Sequence, residues 1–159
     1  MTDEAKQALL DKLTKTRSTL TAYADSLAPA QWETAVYSDE SQSEWTVLDL
    51  LRHVVDSEQS MTALMKQIHS GGSGVPEDFN LARWNARRIE KTEHKTYADL
   101  RADLDKNRQA LLAFIDSLEN DDWEKKGRHG SMRILSIAEI CNLIADHEQS
   151  HIHEMKKVA

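Results

Sequence analysis

A chain of 159 residues is about the size of one domain and can bury a sizeable core. At 40% hydrophobic and 30% charged residues, with no apolar run near the roughly 20 residues of a membrane span and an acidic opening, "MTDEAKQALL", where a leader carries base, a cytoplasmic protein without membrane contact is expected. A formal net charge of −7 with no basic face argues against a nucleic-acid partner, and the single cysteine, Cys141, excludes an intramolecular disulfide and fits a reducing compartment.

Apolar spacing predicts four long helices. In the first, Leu9, Leu13, Thr16, Leu20, Tyr23 and Leu27 alternate steps of four and three, the seam of a bundle helix, and Pro29 follows where it should stop. The second opens after "SEWT", runs through Val47, Leu51, Val54, Glu58, Met61, Met65 and Ile68, and ends at "SGGSG". Next comes "VPEDFNLARWNARRIEKTEHK", too long for a tight turn, in which Leu81 to Glu90 suit a short helix across one end of the bundle. The third helix starts near Thr96, with Tyr97, Leu100, Leu104, Asn107, Leu111, Phe114 and Leu118 on one stripe, and "ENDDW" closes it. The fourth starts near Leu135 and lasts almost to residue 159. The expected fold is all-α: one domain, 1–159, a four-helix bundle with a long connection between helices two and three, without internal repeats.

The fourth helix carries the chemistry. Its seam reads Ile137, Ile140, Ile144, His147, His151, Glu154, Val158, so two imidazoles continue the line of the isoleucines, one turn apart. At about 100° per residue His153 falls about 160° away and should face solvent. Imidazoles at i and i+4 converge on one point, a spacing common in metal sites, although two histidines on an emerging seam also occur simply wet. A third ligand must come from elsewhere, and His53, at the edge of the apolar arc of the second helix, is placed to reach the fourth; its plainer reading is an interfacial histidine bonded to a carbonyl or water. Glu58, nearer the centre of that stripe, is costly there unless paired. It suits a carboxylate orienting a metal-bound imidazole, or a partner of an arginine such as Arg108. Glu154 suits a fourth ligand, a supporting carboxylate or an exposed chain-end residue. His69, His94 and His129 read as surface or loop residues, and Cys141 as a small core residue. Trp32, Trp45 and Trp123 sit near helix ends as core caps, whereas Trp84 and Asn85 are candidates to line a pocket mouth.

"SEWTVLDLLRHVVDSEQ" resembles the start of the second helix in DinB-like proteins, and "HEQSH" resembles that family's closing His-x-x-x-His. "FNLARWNARRIE", "DDWEKKGRHG" and "SIAEICNLIADHE" are similar to its connecting segments, so the resemblance covers most of the chain from Trp45 onward. The wider superfamily holds DNA-damage-inducible proteins, bacillithiol transferases and mycothiol-dependent maleylpyruvate isomerases. The resemblance implies a four-helix bundle with one divalent metal held by three histidines, which fall on His53, His147 and His151, and a tendency to form homodimers. Zinc or nickel stand first among the metals, ahead of iron or manganese, since imidazole suits several.

The resulting expectation is a metal-dependent enzyme acting on a small molecule, with a low-molecular-weight thiol activated at the three-histidine site for transfer to an electrophile. No catalytic residue beyond the ligands is named. The alternatives are a metal-dependent hydrolase and a non-catalytic metal-binding or interaction bundle.

Overall fold

The computed structural model describes residues 1–41 and 44–159; Ser43, the first residue of "SEWT", therefore lies outside the described residues. Among the described residues five α-helices form: α1 (Asp3–Ser26), α2 (Val47–His69), α3 (Leu81–Thr92), α4 (Tyr97–Ser117) and α5 (Ile137–Lys156). The predicted third and fourth helices are thus α4 and α5, and the short helix of the long connection is α3. Two antiparallel ribbons, β1 (Ala35–Val36) with β2 (Trp45–Thr46) and β3 (Lys126–Arg128) with β4 (Ile134–Ser136), were not expected.

The helices start where side chains satisfy their free N–H groups. Thr46 accepts from the Asp49 backbone at 3.1 Å while Asp49 accepts from the Thr46 backbone at 3.1 Å, and Ser136 with Glu139 repeats this reciprocal cap at the start of α5. Each ribbon hands its second strand directly to a capped helix, β2 to α2 and β4 to α5. A 3-10 turn precedes each ribbon, Pro29–Glu33 and Asn120–Glu124, and each buries a tryptophan, Trp32 or Trp123. The order helix, tryptophan turn, ribbon, capped helix therefore occurs twice, a recurrence of elements that residue identities do not display.

α2 packs on α4 and α5, and α1 packs on α5. Arg17 of α1 donates to the Leu104 carbonyl and Arg108 of α4 to the Leu13 carbonyl, both at 2.8 Å, closing the ring in the order α1, α5, α2, α4. Consecutive helices α1 and α2 are thus diagonal, and the described residues between them, 27–41 and 44–46, lie across an end of the bundle. Two apolar clusters fill it, one around Leu13, Met65, Leu111 and Ile140, the other around Leu20, Leu50, Leu104 and Ile152. Between them lies a buried ionic group: Glu58 accepts from Arg108 Nε at 2.7 Å and Arg17 Nη2 at 2.8 Å, and Glu148 accepts from Arg17 Nε and Thr16 Oγ1, both at 2.8 Å. Paired carboxylates and guanidiniums satisfy one another where a lone charge would be expelled.

α5 buries two adjacent stripes, the predicted one and a second through Cys141, Ala145, Glu148, Ile152 and Met155, because it is wedged between α1 and α2. The predicted seam ends early: the helix stops at Lys156 and Val158 is exposed. Among the described residues, no helix is long and apolar enough to cross a membrane.

Candidate metal centre

His53 lies in the second turn of α2, and His147 and His151 one turn apart on α5, the neighbour on which α2 packs. Packing of the buried faces of α2 and α5 sets the rotation of each helix, and that rotation aims all three rings at one point. His147 Nε2 lies 3.1 Å from His53 Nε2 and 3.0 Å from His151 Nε2. The structure thus brings together the three histidines that helical phase selects. His153, on the same helix, is exposed and takes no part.

A fourth group joins them that the sequence did not reveal. Glu40, in the connection between β1 and β2, sets Oε2 2.8 Å from His53 Nε2, and Oε1 2.8 Å from His147 Nε2 and 2.9 Å from His151 Nε2. These four ligand atoms lie within 4.8 Å of one another. Its connection has no apolar period, and Glu40 stands 13 positions from His53 and 107 from His147, so neither periodicity nor local spacing marks it. Its place follows from the structure alone, in which the connection between the diagonal helices α1 and α2 passes the bundle end that holds His53.

Behind the rings, His151 Nδ1 lies 2.8 Å from Glu154 Oε2, so Glu154 holds the outer nitrogen. That contact favours a proton on Nδ1 and turns the Nε2 lone pair inward, the arrangement of a metal-bound imidazole backed by a carboxylate. Ser57 Oγ stands 3.5 Å from His53 Nδ1, and the Trp45 ring lies 5.2 Å from the His53 ring, between centroids. Of the two roles open to Glu58, the structure shows the arginine pair: Glu58 is bonded to Arg108 and Arg17, and no bond to a histidine is seen among the described residues. Trp84 and Asn85 also fall elsewhere. Trp84 sits on α3 against Phe79 and Arg88, and Asn85 is buried on the same helix. α3 is amphipathic and lies on α2, which turns Asn85 into an interface rather than a pocket mouth. A cavity of about 110 Å³ also lies away from the histidines. It lies between α2, α3 and α4, where Arg88 pairs with Asp56 and Lys95 with Asp103 across its lining, while Arg52 pairs with Asp49 outside it.

The cluster is electrostatically tense. Burial alone would raise the Glu40 pKa, but hydrogen bonds with His147, His151 and His53 hold it well below the usual carboxylate range. Burial pushes His147 down to about 4, helped by the charge of its histidine neighbours and opposed by Glu40. Burial would lower His151 too, yet Glu154 and Glu40 outweigh it and raise it to about 9. Three ring nitrogens crowd one carboxylate, an arrangement that a shared proton or a bound cation stabilises. Three nitrogens and a carboxylate oxygen from two packed helices and one connection form a donor set that fits a divalent transition metal.

The remaining candidates are peripheral. His69 ends α2 and lies 3.1 Å from Asp122; His94 is exposed. His129 occupies the turn between β3 and β4, half-buried beside Ser131, and burial together with the charge of Arg133 holds its pKa down. Cys141 is fully buried against Met65, and burial pushes its thiol up to about 12, which makes it a core residue and no nucleophile.

A family model described as the DinB superfamily matches residues 12–155. The uncharacterized protein YuaE of Bacillus subtilis (strain 168) is 26% identical over 128 residues, covering 74% of this chain and 79% of its own. Among solved structures, the colibactin self-resistance protein ClbS, crystallised with a double-stranded DNA, superposes with a TM-score of 0.77 at 18% identity, over 96% of this chain and 94% of its own. The mycothiol-dependent maleylpyruvate isomerase gives 0.71 at 16% identity, over 92% of this chain and 60% of its own. YfiT from Bacillus subtilis, a probable metal-dependent hydrolase with an unusual four-helix bundle topology, gives 0.68 at 16% identity, over 99% and 89%. At these identities the structural likeness is one of fold.

Proposed function

This chain belongs to the DinB superfamily, and on that footing we propose that it is a metal-dependent enzyme that activates a low-molecular-weight thiol for attack on a small electrophile. The observation that carries the reading is the convergence of three Nε2 atoms and one carboxylate, with the outer nitrogen of His151 held by Glu154. His53, His147 and His151 would hold one divalent ion, which when bound supplies the positive charge that lowers the pKa of a thiol or water at neutral pH. Every other part of the task falls to the chain. The packing of α2 on α5 holds the two helices that carry the three rings, so the rings need not reorganise as substrate arrives. Glu154 keeps the His151 lone pair inward, and Trp45 shields one side of His53 from water.

The likeness to the mycothiol-dependent isomerase supports a thiol co-substrate, and the likeness to YfiT supports hydrolysis as the second reading. A bundle that merely stores metal, or one that binds duplex DNA as ClbS does in its crystal, is the rival class; the net charge of −7 weighs against the latter.

The test is the loss of a chloro-nitroarene or epoxide with glutathione, bacillithiol or mycothiol supplied to holo-protein purified without an affinity tag. Acceleration that requires both metal and thiol is expected, with a rate rising through an apparent thiol pKa below about 8.5. Acceleration surviving in metal-free protein would remove the ion from the mechanism. None with any thiol would overturn the transferase reading.

A further inference from the structure

We propose that Glu40 is a displaceable donor: it completes the ligand set when no substrate is present and yields its position to the sulfur or oxygen atom of the substrate. This rests on the metal-dependent reading above. The four donors are not held alike. His53 and His151 sit on packed helices with side chains 4% and 2% exposed, whereas the Glu40 side chain is 29% exposed and belongs to a connection outside the bundle. The ribbon at its base has two residue pairs, Ala35 with Thr46 and Val36 with Trp45, and the Glu40 amide donates to Ser38 Oγ at 3.3 Å. The His53 and His151 rings are enclosed where α2 packs on α5, and His147, at 15% exposed, is still half as exposed as Glu40. The carboxylate of Glu40 can leave by rotation of its own side chain.

The chemistry demands such a difference. Catalytic zinc sites pair three protein ligands with an open position, whereas four protein ligands close a site. Here Glu40 supplies the fourth donor, with both oxygens engaged by the three rings. A thiol or water that enters the set therefore competes with Glu40 directly. A Glu40 in place about nine-tenths of the time would weaken apparent thiol binding about tenfold, since affinity scales with the fraction of sites that are open. The same competition keeps the ion bound and shielded between turnovers.

Cobalt(II) as the probe metal and 2-mercaptoethanol as the probe thiol test this without reference to turnover. Visible absorption reports the number and kind of donors on cobalt, and sulfur-to-cobalt charge transfer reports thiol entry. In the Glu40→Gln variant, and equally in Glu40→Asp, whose shorter side chain withdraws the carboxylate, the cobalt spectrum should change. Half-saturation by thiol should then fall to about one-tenth of the wild-type value. Circular dichroism checks that both variants keep their helices, which Glu40 does not join. Cobalt spectra and thiol titrations identical to wild type would show that Glu40 is no donor. A changed spectrum with weaker thiol binding would make it a fixed ligand. Either result overturns the inference and leaves the metal site standing; wild-type protein that binds no cobalt would instead defeat the metal reading itself.

Discussion

Replacing Glu148 by alanine should cost far more than breaking an ion pair of similar length at the surface. Glu148 accepts from Thr16 Oγ1 and Arg17 Nε at 2.8 Å and lies 3.5 Å from Arg108 Nη2, with its side chain 3% exposed. Without it, two guanidinium groups face Glu58 alone, and an uncompensated positive charge is left inside the bundle. Breaking a buried pair from one side costs about 3–5 kcal/mol, from a total of about 5–15. For a chain of this length that lowers Tm by about 6–20 °C. The reference is Asp146→Ala, which breaks the 2.6 Å pair between Lys12 and Asp146, whose side chains are 39% and 60% exposed. Solvent screens that pair, and its loss should cost about 0–1 kcal/mol. Urea unfolding followed by circular dichroism, with chelator present so that metal plays no part, gives both numbers. Replacing Glu148 by Leu together with Arg17 by Met should recover part of the loss, because the charge leaves with its counter-charge. A Glu148→Ala cost within about 1 kcal/mol of the Asp146→Ala cost would refute the reasoning, since burial is what separates the two pairs.

Three further outcomes are expected. Gly74 has φ of +94° and a Cβ there would meet the Arg128 backbone nitrogen at 2.2 Å, so Gly74→Ala should cost about 2 kcal/mol or more; Gly71, at φ of +99° with nothing near its Cβ, should cost about 1, and equal costs by urea unfolding would contradict the clash. The Cys141 thiol, raised from 9.0 to about 12, leaves stability untouched below pH 9 and removes it as pH climbs from 9 toward 12, because only the unfolded chain ionises there. The stability gap between wild type and Cys141→Ala should therefore shift against wild type by about 1 kcal/mol per pH unit above 9, and a pH-independent gap would contradict it. A homodimer covering exposed apolar side chains such as Leu112 and Ile134 is expected, and a monomeric mass by light scattering at micromolar concentration would defeat it.

The helices were legible because their burial is periodic. Leu9, Leu13, Thr16 and Leu20 of α1 face one way and all are buried, and the line from Ile137 to His151 on α5 carries the same phase into the site. The second stripe of α5, through Cys141, Glu148 and Met155, obeys the same period. Its burial comes from α1 and α2 packing on neighbouring sides of α5, which depends on the helix order around the bundle. The ribbons were invisible for a different reason: strands of two or three residues are too short to show alternation. Glu40 was lost with them. Its place at the site comes from a chain crossing between diagonal helices, which is a property of topology and leaves no local mark. Arg17 was likewise hidden, being an ordinary charged residue of α1 until Glu58 and Glu148 meet it in space.

Metal content measured on tag-free protein and its histidine variants tests the central claim most directly. One divalent ion per chain is expected in wild type and in His153→Ala, and severe loss in His53→Ala, His147→Ala and His151→Ala, because those three rings share the donor point while His153 faces solvent. An ion retained in all three, or lost only in His153→Ala, would contradict the assignment of the site.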